Sequence, residues 1–175
     1  TCRSAPFTFP SRNPQHSFGK VSSPCFSTPA LSSGVSTIAM AQAGKAVILI
    51  DADLRKPKVA KKLGIEGAVG LTNVLVGEAH LNDAVVAWRR GLLDVLPAGT
   101  VPPNPSELLG SENMKRLINQ LRGHYDYILL DAAPLLPVSD TSMLSLHTDG
   151  ILLVGRFGLV TREQFTRTVE NLRLI

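Results

Sequence analysis

Cysteine is nearly absent from this 175-residue chain: Cys2 and Cys25 are the only two, with no C-x-x-C pair and no histidine cluster beside them. That argues against a zinc site. His16, His80, His124 and His147 are scattered and read as solvated or capping side chains. Transition-metal chemistry has no donor set, which leaves open only a magnesium ion shared between carboxylates and phosphate. Aromatic residues make up 5% of the chain and charged residues 18%, while hydrophobic residues reach 44%. So apolar a composition excludes wholesale disorder. The apolar runs are strand-length, far short of the roughly 18 residues that a membrane-spanning helix requires.

Acidic residues are missing altogether from residues 1–50, which hold Arg3, Arg12, Lys20 and Lys45; residues 51–175 carry 14 basic and 14 acidic side chains. The net charge of +4 therefore belongs to the amino-terminal stretch, and the rest is neutral. A nucleic-acid-binding domain would place its basic excess on the folded surface with stacking aromatics, so no nucleic-acid partner is expected.

Residues 1–37 are rich in serine and proline and show no apolar period, so they read as an unstructured segment. The lack of acids suits a transit peptide, but the prolines break the amphipathic helix such a peptide forms. Order is expected from Ile38, where Ile38–Gly44 has the form of a helix end closed by a glycine. Four buried-strand patterns follow at Ala46–Ile50, Leu93–Leu96, Tyr127–Leu130 and Gly150–Val154. Helix patterns lie at Lys58–Leu63, Leu71–Val76, Pro105–Leu121, Val138–Leu146 and Thr161–Leu174. Asn104 with Pro105 and Glu107, and Thr161 with Gln164, sign two helix starts. The alternation predicts an α/β three-layer sandwich with a mostly parallel sheet, whose ligands sit at the carboxyl ends of the strands.

Chemistry gathers at those ends. Asp51, Asp53 and Arg55 follow the first strand, and alternation sends all three side chains to one side. Two close carboxylates repel unless a cation balances them, and a nucleotide's magnesium is such a cation. The alternative is a turn in which Asp51 and Asp53 cap the next helix. A second strand, Tyr127–Leu130, ends in Asp131, the form of a Walker B strand whose carboxylate holds magnesium. No G-x-G-x-x-G follows a strand, since Gly64, Gly67 and Gly70 have the wrong spacing, and no G-x-S-x-G occurs, so dehydrogenase and hydrolase readings fall away.

From Ile38 to Ile175 the chain resembles the bacterial P-loop tyrosine kinases of capsular and exopolysaccharide synthesis. The most specific match is Ile48–Pro57, three apolar residues followed by D-x-D and then an arginine; Gly70–Leu75, Leu96–Gly99, Pro102–Leu109 and Asp126–Asp131 also agree. The resemblance implies a P-loop NTPase fold shared with cell-division and partition ATPases, truncated here at both ends. It implies ATP and Mg2+ as cofactors, Asp51 as the catalytic carboxylate beside an attacking tyrosine hydroxyl, Asp53 and Asp131 as magnesium ligands, and Arg55 as a stabiliser of phosphate charge or of a neighbouring contact. The Pro102–Ser106 loop is implied to line a nucleotide or subunit contact, or to serve only as a rigid lead into a capped helix. A membrane polysaccharide co-polymerase or adaptor is the implied partner, with homo-oligomers and a cytoplasmic location at the inner face of the plasma membrane through that adaptor.

The sequence departs from this family in one chemical essential. No G-x-x-x-x-G-K-[ST] motif exists: family spacing places its lysine near Pro29, and Gly19-Lys20 is followed by Val21. Its simplest origin is a frame change, fusion or sequence error upstream of Ile38. Ala133 also replaces the first proline of the family's D-x-P-P, and the chain stops inside a helix, before the tyrosine-rich tail that the family phosphorylates. The expectation is a kinase or fragment of one without catalysis as written; the alternatives are a switch ATPase of the partition type and a nucleotide-free interaction module.

Overall fold

The computed structural model describes residues 25–29, 33–132, 140–153, 158 and 160–172. Strands are β1 (Cys25–Pro29), β2 (Val47–Asp51), β3 (Val86–Trp88), β4 (Leu93–Leu96), β5 (Tyr127–Ala132) and β6 (Gly150–Ile151). Helices are α1 (Ser33–Gln42), α2 (Val59–Leu63), α3 (Leu71–Val76), α4 (Leu81–Ala84), α5 (Pro105–Leu109), α6 (Glu112–Arg122), α7 (Asp140–Ser145) and α8 (Arg162–Leu172).

The six strands form one sheet in the order β3-β4-β2-β5-β1-β6, parallel except for the β3–β4 hairpin. The three-layer expectation holds, and alternation along β2 shows why. Ile48 and Ile50 pack into one core with α3 and α6 through Leu71, Leu75, Met114, Ile118 and Leu121. Val47 and Leu49 face the other way, into a smaller core with Ala41 of α1 and Val59 of α2. A strand buried on both faces needs apolar residues throughout, which is the continuous run its sequence carries.

Two boundaries differ from the sequence expectation. Structure begins before Ile38: β1 and the first turn of α1 lie inside the stretch read as unstructured, and residues 1–24 lie outside the described ones. Cys-Phe-Ser-Thr-Pro has no strand signature of its own; β1 is a strand because β5 pairs with one of its edges and β6 with the other. The helix expected over Pro105–Leu121 is two helices. Ser111 takes an extended conformation, its hydroxyl accepts from the Met114 N–H at 3.3 Å and donates to the Leu108 carbonyl at 2.7 Å, and it thereby ends α5 and caps α6.

The glycine closure of α1 is a Schellman motif. Gly44 has φ +79°, its N–H bonds the Ala41 carbonyl at 3.0 Å, and the Lys45 N–H bonds that of Met40 at 3.2 Å. The capping box of α8 also forms, with Gln164 N–H to the Thr161 hydroxyl at 3.2 Å and Thr161 N–H to the Gln164 side chain at 3.0 Å. At α5 the Asn104 side chain caps no backbone amide and instead donates to Glu107 at 2.6 Å. Val138, Val154 and Leu174, the outer ends of three expected elements, fall outside the described residues. Among those described, no helix is long and apolar enough to cross a membrane.

Candidate functional site

The candidate residues Asp51, Asp53 and Asp131 lie at the carboxyl ends of β2 and β5. Asp51 and Asp131 are register partners on these adjacent strands, and the Ala52 N–H bonds the Asp131 carbonyl at 2.8 Å. Both aspartates are buried, as is Asp53. Thr28 of β1 is the other register neighbour of Asp131.

Asp51 takes the capping role weighed from the sequence. Its Oδ2 accepts from the backbone N–H groups of Lys58 at 3.0 Å and Val59 at 2.9 Å, capping α2. Its Oδ1 is buried with no hydrogen-bond partner. Burial raises the pKa of Asp51, the amides of Val59 and Lys58 oppose that rise, the Asp53 amide opposes it more weakly without satisfying Oδ1, and repulsion from Asp53 adds to it. Asp53 Oδ1 accepts the Lys56 N–H at 3.1 Å, closing the turn that leads into α2.

Arg55 does not turn toward the carboxylates of the strand ends. Its Nε donates to Asp140 Oδ2 at 2.6 Å and its Nη2 to Asp140 Oδ1 at 3.1 Å, with Ser106 Oγ at 3.4 Å from Nη2. Ser106 also hydrogen-bonds Asp140. Asp140 is buried at the first turn of α7, and its hydrogen bond from Arg55 holds its carboxyl below the usual range against the opposing effect of burial. Asp140 and Ser106 were missed by the sequence reading. An acid opening the expected Val138–Leu146 helix was the available signal for Asp140, and the Pro102–Ser106 match was the signal for Ser106.

Among the described residues, no group of three His, Cys, Asp or Glu side chains could hold a metal ion on its own. The orphaned Oδ1 of Asp51 and the neighbouring Asp131 do suit a magnesium ion that completes its shell with phosphate and water. The phosphate side does not fit. β1 ends at Pro29 and α1 begins at Ser33, so only Ala30, Leu31 and Ser32 join strand to helix. They include neither the glycines that bring backbone N–H groups against phosphate nor the lysine that reaches its oxygens.

The AAA domain family matches residues 30–174. Tyrosine-protein kinase YwqD of Bacillus subtilis is 43% identical over 135 residues, 77% of this chain and 57% of its own length. The chain thus spans little more than half of that relative. The VpsO kinase domain superposes with a TM-score of 0.80 at 32% identity, over 87% of this chain and 79% of that one. The septum site-determining protein MinD of Pyrococcus horikoshii, solved with Mg-ADP, gives a TM-score of 0.66 at 23% identity over 86% of this chain and 64% of that one, a likeness of fold alone. Fold, D-x-D-x-R strand end and kinase-domain match agree, and the chain belongs to the bacterial tyrosine-kinase family of P-loop proteins.

Proposed function

We propose that this chain is the core of a protein-tyrosine kinase domain serving capsular or exopolysaccharide synthesis, and that the sequence as it stands has lost phosphoryl transfer. The observation that carries both halves is the contrast at one sheet end: Asp51, Asp53 and Asp131 are retained and buried, while three residues stand where a phosphate loop is needed. Phosphoryl transfer rests on positioning and charge neutralisation, and backbone donors around the phosphates are among its largest contributions. Asp53 and Asp131 would hold magnesium once a phosphate supplied the remaining ligands, and the unpartnered Oδ1 of Asp51 would face both that ion and the attacking hydroxyl. Arg55 is engaged by Asp140, so in this chain it acts on the geometry of the loop after β2 rather than on phosphate.

A nucleotide-free interaction module is the second reading, favoured by the same short β1–α1 connection. A membrane polysaccharide adaptor is the partner that the family resemblance supports for either reading, with a location at the inner membrane face through that adaptor. The test inserts a glycine-lysine phosphate loop in place of Ala30–Ser32 and follows phosphotyrosine on an added tyrosine peptide with Mg-ATP. The kinase reading expects transfer only from the restored chain, abolished again by Asp51→Asn. Absence of transfer from a restored chain that binds Mg-ATP would favour the interaction module.

A further inference from the structure

The opposite end of the sheet carries an unrelated feature. β3 and β4 are joined through Arg89, Arg90, Gly91 and Leu92, and the first three all have left-handed φ values of 46°, 59° and 82°. Glycine and asparagine adopt that conformation at low cost in such turns, whereas arginine is strained there. Backbone strain held at an exposed tip points to a role for the side chains that impose it.

Those arginines have basic neighbours. The Trp88 indole N–H donates to the Leu63 carbonyl at 3.1 Å, fastening the β3–β4 turn to the last turn of α2, which presents Lys61 and Lys62. Arg89 lies over the Trp88 ring, 4.4 Å from its centroid. Lys45 enters β2, the strand beyond β4, at this same end. All five cations are exposed, and among the described residues no ion pair engages Lys45, Lys61, Arg89 or Arg90. The nearby acids accept from neutral donors and keep their charge: Asp126 takes the Ala46 N–H at 2.7 Å, Asp94 the Tyr125 hydroxyl at 2.9 Å, and Glu66 the N–H groups of Gly67 and Ala68, so five cations face three carboxylates.

We propose that this end of the sheet, where Lys45, Lys61, Lys62, Arg89 and Arg90 flank the Trp88–Leu63 contact, is a docking surface for an anionic lipid bilayer. The cations project from the ends of separate elements, an arrangement that meets a charged plane without any matched groove. Nucleic acid is disfavoured because Trp88 is tied to Leu63 and covered by Arg89, while Tyr127 packs half-buried against the same core, leaving no open stacking platform among the described residues. Juxtamembrane basic residues draw proteins to anionic leaflets additively. The β3–β4 turn and Lys45 lie at the end of the sheet opposite Asp51, and Lys61 and Lys62 sit on the short helix that runs from the Asp51 contact to that turn.

The test is co-sedimentation of the whole chain, at low salt, with vesicles of phosphatidylcholine alone or mixed with phosphatidylglycerol. Binding is expected to the mixed vesicles only and to weaken as salt rises. The variant Arg89→Asn with Arg90→Gly removes two charges and relieves the strained turn, so it should melt no lower than the parent while binding roughly thirtyfold more weakly. Arg89→Lys with Arg90→Lys keeps the charges and should bind like the parent. A loss below about tenfold in the Asn/Gly variant overturns the proposal, given the per-residue contribution expected. So does a comparable loss in the lysine variant, equal binding to both vesicle types, or capture of polyglutamate or duplex DNA without vesicle binding.

Discussion

Asp51 is a buried carboxylate that caps α2 through one oxygen and leaves the other unpartnered. Asp51→Ala removes the acceptor of two α2 amides and is expected to cost about 1–2 kcal/mol, as for other lost helix caps. Asp51→Asn keeps an acceptor but removes a buried charge whose pKa is raised by desolvation. Because a raised carboxyl pKa penalises the ionised folded state, stability contributed by wild-type protonation grows as pH falls toward that pKa. The Asn variant should therefore melt higher than the parent at neutral pH, with the gap closing in acid; thermal melts across pH check it. Asp140 has the opposite sign. Its pKa is lowered, so its ion pair stabilises above the ordinary carboxylate pKa and that contribution is lost as pH falls through the depressed value. Asp140→Asn should cost about 1–3 kcal/mol at pH 7 in chemical denaturation and little at the acid end. The D-x-D-x-R pattern was legible because it follows an apolar run without interruption. The Arg55–Asp140–Ser106 contact was not, since its members are 34 to 85 positions apart in sequence and meet only through the fold.

Among the elements, β2, β4 and β5 were readable because burial on both faces leaves a continuous apolar imprint. β3 and α4 were missed: three and four residues carry no period long enough to register. β1 was missed for a different reason, since its pairing partners rather than its residues make it a strand. The break between α5 and α6 was signalled by Gly110-Ser111 inside an otherwise helical run, but needed the Ser111 hydrogen bonds to decide it. The approach of α3 to the loop after β4 is equally local and sharply testable. The N–H groups of Leu71 and Thr72 bond the carbonyls of Pro97 at 2.7 Å and Ala98 at 2.9 Å, and a Cβ on Gly70 would lie 2.1 Å from the Pro97 carbonyl oxygen. Gly70→Ala should therefore cost about 3 kcal/mol or more, read by denaturant unfolding, because backbone rather than a movable side chain is in the way.

For the whole molecule, two partly buried histidines add to the acid-side loss of stability in the range just below neutral pH. Burial lowers the pKa of both His124 and His147, and Lys115 lowers that of His147 further, partly opposed by Glu112 and a hydrogen bond with the Gly110 backbone. The unfolded chain then binds more protons below the ordinary histidine value of 6.5, so stability falls as pH drops from there toward the depressed folded values. Replacing both histidines with glutamine should flatten that limb in melts taken between neutral and mildly acidic pH.

The proposed kinase reading depends on the sheet end where Asp51, Asp53 and Asp131 meet. Asp51, Asp53 and Asp131 are buried there, and the three residues between β1 and α1, Ala30, Leu31 and Ser32, include neither glycine nor lysine. Calorimetry with Mg-ATP, on this chain and on the chain carrying a glycine-lysine loop in place of Ala30–Ser32, tests that account most directly. No saturable binding by the present chain up to about millimolar nucleotide, with about micromolar binding once the loop is restored, is the predicted result. Micromolar binding by the present chain would contradict it and would mean that residues outside the β1–α1 connection hold the phosphates.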